Sequence, residues 1–255
     1  MLLLPSDIAK KTVETGKSKA NLTTGKMLLL GIFAGIFIAL AGVGASIGSF
    51  YGGKLAGALI FPIGLAMVII AGSELFTGNN LMIMSWIKGE ITLIKLLKNW
   101  ILVFFGNFIG ASLVALLVVY SGVLDPLSDS VVAAAVTKNN LGFIEALIRG
   151  VFCNFLVCIA VWMAFSAKTT AGKIIALFGP VFLFVLCSFE HSVANMFYGP
   201  AGIFMAFKNG TAIDGLNFLG FLWNNLLPVT IGNILGGAGI VGLGYYLVYL
   251  RKNKD

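Results

Sequence analysis

Phe189-Glu190-His191-Ser192-Val193-Ala194-Asn195-Met196 sets a carboxylic acid and the only histidine of the chain inside an apolar run. The residues before it, Ile174 to Ser188, are apolar or small, and so are most of those up to Phe207. An ionisable side chain is expensive in such surroundings and marks a functional site by default. The stretch therefore decides two questions together, what kind of solvent the protein lives in and where its chemistry sits.

The whole chain answers the first question. It is 59% hydrophobic and 11% charged over 255 residues, too apolar to bury its surface in a water-soluble fold. Charge-free runs at Met27–Gly53, Leu55–Ser73, Asn99–Leu124, Gly150–Ala167 and Gly215–Leu250 are each long enough to cross a hydrocarbon core, which takes about 20 residues. With the run holding Glu190 and His191 this predicts six transmembrane helices in an all-α integral membrane protein.

The excess of basic residues does not point to nucleic acid, because the charges sit at membrane edges. With the N-terminus inside, Lys54, Lys138, Arg149 and Lys208 fall outside and every other lysine and arginine falls on the cytoplasmic side. That bias obeys the positive-inside rule and predicts cytoplasmic N- and C-termini. Residues 1–26 read as a cytoplasmic amphipathic segment lying on the membrane surface, 27–250 as the six-span domain and 251–255 as a cytoplasmic tail. The 121–143 stretch reads as the largest polar loop outside. Cys153, Cys158 and Cys187 are odd in number and lie in apolar runs, so they read as buried thiols rather than disulfides. A single histidine offers no metal-ligand spacing, and no cofactor motif is present.

The second span repeats the construction of the first-quoted stretch. Glu74-Leu75-Phe76-Thr77-Gly78-Asn79-Asn80 puts a carboxylate, a glycine and two asparagines into an apolar run, about ten residues after Pro62, as Glu190 follows Pro180. Neither can be a comfortable lipid-facing helix, so helices 2 and 5 are expected to be interrupted near the midplane. Glu74 and Asn79 match Glu190 and Asn195, and Gly106-Asn107-Phe108-Ile109-Gly110 rhymes with Gly232-Asn233-Ile234-Leu235-Gly236. Spans 1–3 and 4–6 are thus two related halves, about 27–121 and 143–250. Three spans each forces them into opposite orientations, an inverted 3+3 repeat with the site at its interface. The Gly-x-x-x-Gly spacings are read as close helix packing.

Broken helices expose N–H groups at the restart and favour an anion there, as basic residues at both mouths also do. Glu74, Glu190, Asn79 and Asn195 are assigned to supporting the breaks, the carboxylates by accepting freed N–H groups. Adjacent helical positions point about 100° apart, which sends Glu190 into the protein and leaves His191 for the pore.

Glu74–Asn79, Cys153-Asn154-Phe155-Leu156-Val157-Cys158, Phe189–Met196 and Asn225-Leu226-Leu227-Pro228-Val229-Thr230 together resemble the formate/nitrite transporter family over nearly the whole chain. The resemblance implies an aquaporin-like protomer, a homopentamer in the cytoplasmic membrane of a prokaryote, and passage of small monovalent anions such as formate, nitrite or hydrosulfide. It implies that His191 and Thr77 line the pore, with Lys138 and Asn154 near them. It places constrictions at Leu75 and Phe76 on the cytoplasmic side and at Phe61 and Phe184 on the outer side. The Cys187–His191 context resembles the hydrosulfide branch more than the formate branch. His191, with an ordinary pKa near 6.5, is expected to bond the anion or pass it a proton. A water or small-solute channel is the alternative; it would want two Asn-Pro-Ala loops, and neither Gly78-Asn79-Asn80 nor Ala194-Asn195-Met196 has the proline. An intramembrane enzyme lacks a nucleophile motif around the histidine.

Overall fold

The computed structural model describes residues 3–211 and 213–251, and the described residues form helices and connecting turns, with no strand. Helix α1 (Pro5–Ala20) opens with proline at its first position, where the missing N–H costs nothing. It buries Ile8, Ala9, Thr12, Val13, Gly16 and Ala20 along one face. That face is filled by protein: Ile8, Ala9 and Val13 cluster with Met84 and Trp162, and Ser85 Oγ donates to the Val13 carbonyl at 2.8 Å. Gly16 permits the approach, since a Cβ there would come within 2.1 Å of Ser85 Oγ. The helix is therefore docked on the bundle through this buried face, a contact that hydrophobic periodicity alone does not supply. Of the expected 251–255 tail, all but Arg251 lies outside the described residues.

Helices α2 (Thr24–Ile60) and α3 (Pro62–Ala71) form one 48-residue run. At 1.5 Å per residue it is about 70 Å long, more than twice a hydrocarbon core of about 30 Å. It does not run straight, because Gly53 leaves the helical region at φ 76°, ψ 176°, a conformation open to glycine and closed to L side chains. The two legs then pack back to back. Gly57 sits against Ser49 and the Ala45 carbonyl, and Gly64 against Ala41. The chain is non-helical from Gly72 to Leu75 and restarts at α4 (Phe76–Asn79), a 3₁₀ turn and α5 (Ile83–Ile87).

Helix α6 (Leu93–Tyr120) is capped by Thr92. The 121–143 stretch, expected to be a polar loop, folds into a 3₁₀ turn and α7 (Ser128–Asn139), which packs on α10 (Ser192–Lys208). Helices α8 (Phe143–Ser166) and α9 (Thr170–Leu186) follow, then a second non-helical stretch from Cys187 to His191 before α10. The last long run, Phe218–Tyr249, contains α11 (Phe218–Phe221), α12 (Leu227–Ile234) and α13 (Leu243–Tyr249), joined by π-helical turns. Thr24–Ala71, Leu93–Tyr120, Phe143–Ser166 and Phe218–Tyr249 are long and apolar enough to cross a membrane, and Thr170–Leu186 is a shorter apolar helix.

Glycines set the closest helix pairs. Gly31 of α2 meets Gly106 of α6, and Gly150 of α8 meets Gly232 of α12, with a built Cβ about 3.2 Å from the opposing Cα in each case. The same pair thus recurs in both halves of the chain, as expected of close backbone packing between membrane helices.

Candidate functional site

Both interruptions end their first helix the same way. Gly72 at φ 79° and Ser188 at φ 56° take the left-handed position, and the next residue's N–H reaches back to the carbonyl five residues earlier, Ser73 to Val68 and Phe189 to Phe184, each at 3.0 Å. The restarting helices then need partners for their free N–H groups. Asn107 Oδ1 accepts from Phe76 N and Asn233 Oδ1 from Ser192 N, each at 2.9 Å. The same carboxamides donate to Gly31 O (2.7 Å) and Glu74 O (2.9 Å), and to Gly150 O (2.8 Å) and Glu190 O (3.0 Å). The freed backbone is thus held by two asparagines, not by the glutamates, because a carboxamide can accept from the N–H and donate to the carbonyl across one break.

The glutamates take side-chain partners instead. Glu74 accepts from Lys19 Nζ and Asn79 Nδ2, both at 2.7 Å, while Glu190 accepts from Lys138 Nζ at 2.8 Å and Asn195 Nδ2 at 2.7 Å. Asn79 Nδ2 also donates to Asn99 Oδ1 (2.9 Å), and Asn195 Nδ2 to Asn225 Oδ1 (2.7 Å). Each buried carboxylate is therefore both paired and hydrogen-bonded, the condition for keeping a charge out of water. Lys19 lies on α1 and Lys138 on α7. The correspondence of the halves thus extends to these two helices, beyond the 27–121 and 143–250 bounds.

His191 and Thr77 meet across the halves, Nε2 to Oγ1 at 3.0 Å. His191 also caps α10, its Nδ1 accepting from Ala194 N at 3.0 Å. An accepting Nδ1 carries no proton, so the neutral ring holds its hydrogen on Nε2, donates it to Thr77 Oγ1 and leaves the threonine hydroxyl hydrogen free for a third partner. Thr77 is pinned from behind, its carbonyl accepting from Asn154 Nδ2 (3.3 Å) and Cys158 Sγ (3.5 Å). Asn154 further donates to Asn80 Oδ1 (2.9 Å) and Asn233 O (2.7 Å), so it braces the first break beside the threonine that His191 bonds.

Phe184 stacks on His191 with centroids 5.8 Å apart, and Phe61 meets Phe184 edge-on at 5.7 Å. Leu75 lines a cavity with Leu65, Val68 and Gly78. Phe76 turns its ring to Phe104 (5.1 Å) and Trp100 (6.3 Å) and is not among that cavity's lining residues. Cys153 and Cys158 are buried free thiols; Cys187, expected to be buried, is exposed because it falls in the turn that ends α9.

Two cavities share no lining residue. The first, about 400 Å³, is lined by Lys19, Glu74, Asn79, Leu75 and Met82 among others. The second, about 270 Å³, is lined by Ser46, Ser49, Ser130, Val185, Phe197 and Tyr198 among others. His191 and Thr77 line neither cavity; Leu75 and Gly78, on either side of Phe76-Thr77, belong to the first, and Val185, next to Phe184, belongs to the second. Sequence reasoning placed the glutamates, Asn79, Asn195, Thr77 and His191, but missed Lys19, Asn99 and Trp100, whose Nε1 donates to Asn79 O at 2.9 Å. An asparagine at 99 beside a charge-free run was a readable signal; a lysine on a separate helix was not.

The formate/nitrite transporter family matches residues 6–247. The chain is 39% identical, over a 274-residue alignment, to the formate channel FocA of Escherichia coli (strain K12), covering 99% of this chain and 96% of that protein. Among solved structures it resembles a pentameric formate channel with formate bound, with TM-score 0.77 and 36% identity over 89% of this chain and 98% of the other. It also resembles an ion channel of the same family, with TM-score 0.82 and 30% identity over 95% and 98% of the two chains.

Proposed function

Since the chain belongs to the formate/nitrite transporter family, we propose that it conducts formate and similarly small monovalent anions through a pore in each protomer of a homopentamer. Each protomer crosses the bacterial cytoplasmic membrane six times, α2 and α3 counting as two crossings and each interrupted pair as one. The lysine bias puts both termini in the cytoplasm, so the Lys19 cavity is the inner mouth and the Tyr198 cavity the outer one.

The observation that carries this reading is the His191–Thr77 bond across the two halves, with one cavity reaching Leu75 and Gly78 beside Thr77 and another reaching Val185 beside Phe184. An anion leaving either cavity for the slit at Phe61 and Phe184, or the narrowing at Leu75, gives up water, at a cost of several kcal/mol unless it gains hydrogen bonds. Thr77 supplies one. Its hydroxyl accepts from His191 Nε2–H, which orients and polarises its own hydrogen toward the solute. A second proton on His191 would have to sit on Nδ1 and would break the cap to Ala194 N. The geometry therefore favours a neutral histidine that works as a donor over one that shuttles protons.

Flux of formate, nitrite, hydrosulfide and chloride into proteoliposomes tests the assignment. Formate is expected to pass and chloride to be excluded, whereas equal rates for all four would discard a selective filter. Thr77→Val, which keeps the shape and removes the donor, should slow formate about tenfold or more, the equivalent of one hydrogen bond to a charged group at 1.4 kcal/mol per decade. Unchanged flux in that variant refutes the threonine's role. A pH profile that moves in His191→Asn would assign the histidine to proton transfer instead. Rapid swelling in a water or glycerol gradient would return the reading to a neutral-solute channel.

A further inference from the structure

The two halves differ at one cavity wall. In the first half Lys19 Nζ bonds Glu74 Oε1 at 2.7 Å and Asn79 Oδ1 at 2.9 Å, and Lys19, Glu74, Asn79 and Met82 all line the inner cavity. Set in register on Glu74 and Glu190, Asn79 corresponds to Asn195 and Met82 to Tyr198. In the second half Lys138 Nζ bonds Glu190 Oε1, and Asn195 Oδ1 is buried with no hydrogen-bond partner among the described residues. The ammonium lies instead 5.4 Å from the centre of the Tyr198 ring. The outer cavity is lined by Tyr198, Ser46, Ser49 and Ser130 among others, with no charged residue among the described residues that line it.

The Tyr198 ring gives the Lys138 ammonium an attraction that Lys19, bonded to Asn79, does not have in the first half. A tyrosine face attracts an ammonium, and a methionine has no such face. The ring touches the lysine's surroundings on one side and the cavity on the other. We infer that Tyr198 is a positioning residue that screens the Lys138–Glu190–Asn195 cluster from the outer cavity, so that the outer mouth receives the anion on hydroxyls and the inner mouth on a lysine of its own lining. The inference rests on the anion-channel reading. A lysine at a cavity wall raises the local anion concentration in a manner that salt weakens, the Debye length being about 8 Å at physiological ionic strength. A screened lysine contributes less of this, and the two mouths should differ accordingly.

Formate uptake into right-side-out and inside-out membrane vesicles, measured at low and high ionic strength, tests this on the wild-type chain. The half-saturation concentration should rise more with salt from the inner face than from the outer face; equal salt dependence overturns the proposal. Tyr198→Met should lower the outer half-saturation concentration about threefold and bring its salt dependence to that of the inner face. Tyr198→Phe should restore the wild-type ratio between the faces, and Lys138→Gln added to Tyr198→Met should cancel the gain. A Tyr198→Met channel whose outer face keeps the wild-type values also overturns the proposal. Absence of formate flux from either face of the wild type would overturn the anion-channel reading itself, an outcome distinct from two active but equivalent mouths.

Discussion

Replacing Asn233 by leucine removes a side chain that is fully buried and makes three hydrogen bonds. Gly150 O lies inside α8 and keeps a helical partner. Ser192 N–H and Glu190 O do not, since both belong to the break and Asn233 is their partner. Leucine is close to asparagine in shape, so the chief loss is these two backbone groups, each costing about 1–3 kcal/mol when buried and unpaired. The expected destabilisation is therefore about 2–6 kcal/mol, a large share of the 5–15 kcal/mol typical of a folded domain. Asn107→Leu should cost a similar amount, for Phe76 N–H and Glu74 O are held the same way. Thr230→Val is the control: its hydroxyl donates to Leu226 O at 2.6 Å, a carbonyl already inside the helix, and its loss orphans nothing. Equilibrium unfolding of detergent-solubilised protein by increasing dodecyl sulfate, followed by tryptophan fluorescence, compares the three. If Asn233→Leu costs no more than Thr230→Val, the asparagines do not hold the breaks and the account of both interruptions fails.

Two further outcomes follow from single contacts. Ser188 holds a left-handed φ of 56° at the place where the first half uses Gly72, so Ser188→Gly should be neutral or stabilise by up to about 1 kcal/mol, and Gly72→Ser should destabilise by a similar amount; the same unfolding assay reads both signs. On the exposed surface Lys17 bonds Glu90 at 2.9 Å, which holds the Glu90 carboxyl below its usual range and raises Lys17. The pair's contribution is thus present from the ordinary glutamate value upward, is lost as pH falls through the lowered Glu90 value, and is lost at the other end as pH rises through the raised Lys17 value. Carboxyl NMR titration should find Glu90 returned toward about 4.3 in Lys17→Met; an unmoved titration would show that the contact is not made in solution.

The membrane class, the positions of both breaks and the pairing of the halves were legible because each depends on short-range properties. Hydropathy adds up residue by residue, and Gly78-Asn79-Asn80 interrupts an apolar run wherever it is placed. The turn chemistry was less legible, since nothing in Cys187-Ser188 announces a left-handed residue as Gly72 does. The expectation that 121–143 is a loop failed because α7 is polar on its exposed side and is kept helical by packing on α10.

Which partner each polar group finds is settled only by the folded chain. Lys19 and Glu74 are separated by 55 positions, Lys138 and Glu190 by 52, and Thr77 and His191 by 114. A charge in an apolar run says that it needs a partner but not which one, because pairing energies fall off over a few ångströms and sequence distance does not measure those. From the sequence alone came the solvent, the repeat and the two breaks with their costly residues. From the tertiary structure came the asparagines that close the breaks, the docking of α1 that delivers Lys19, the two hydrogen-bond partners of His191, and a tyrosine in the wall of one cavity where the other has a methionine.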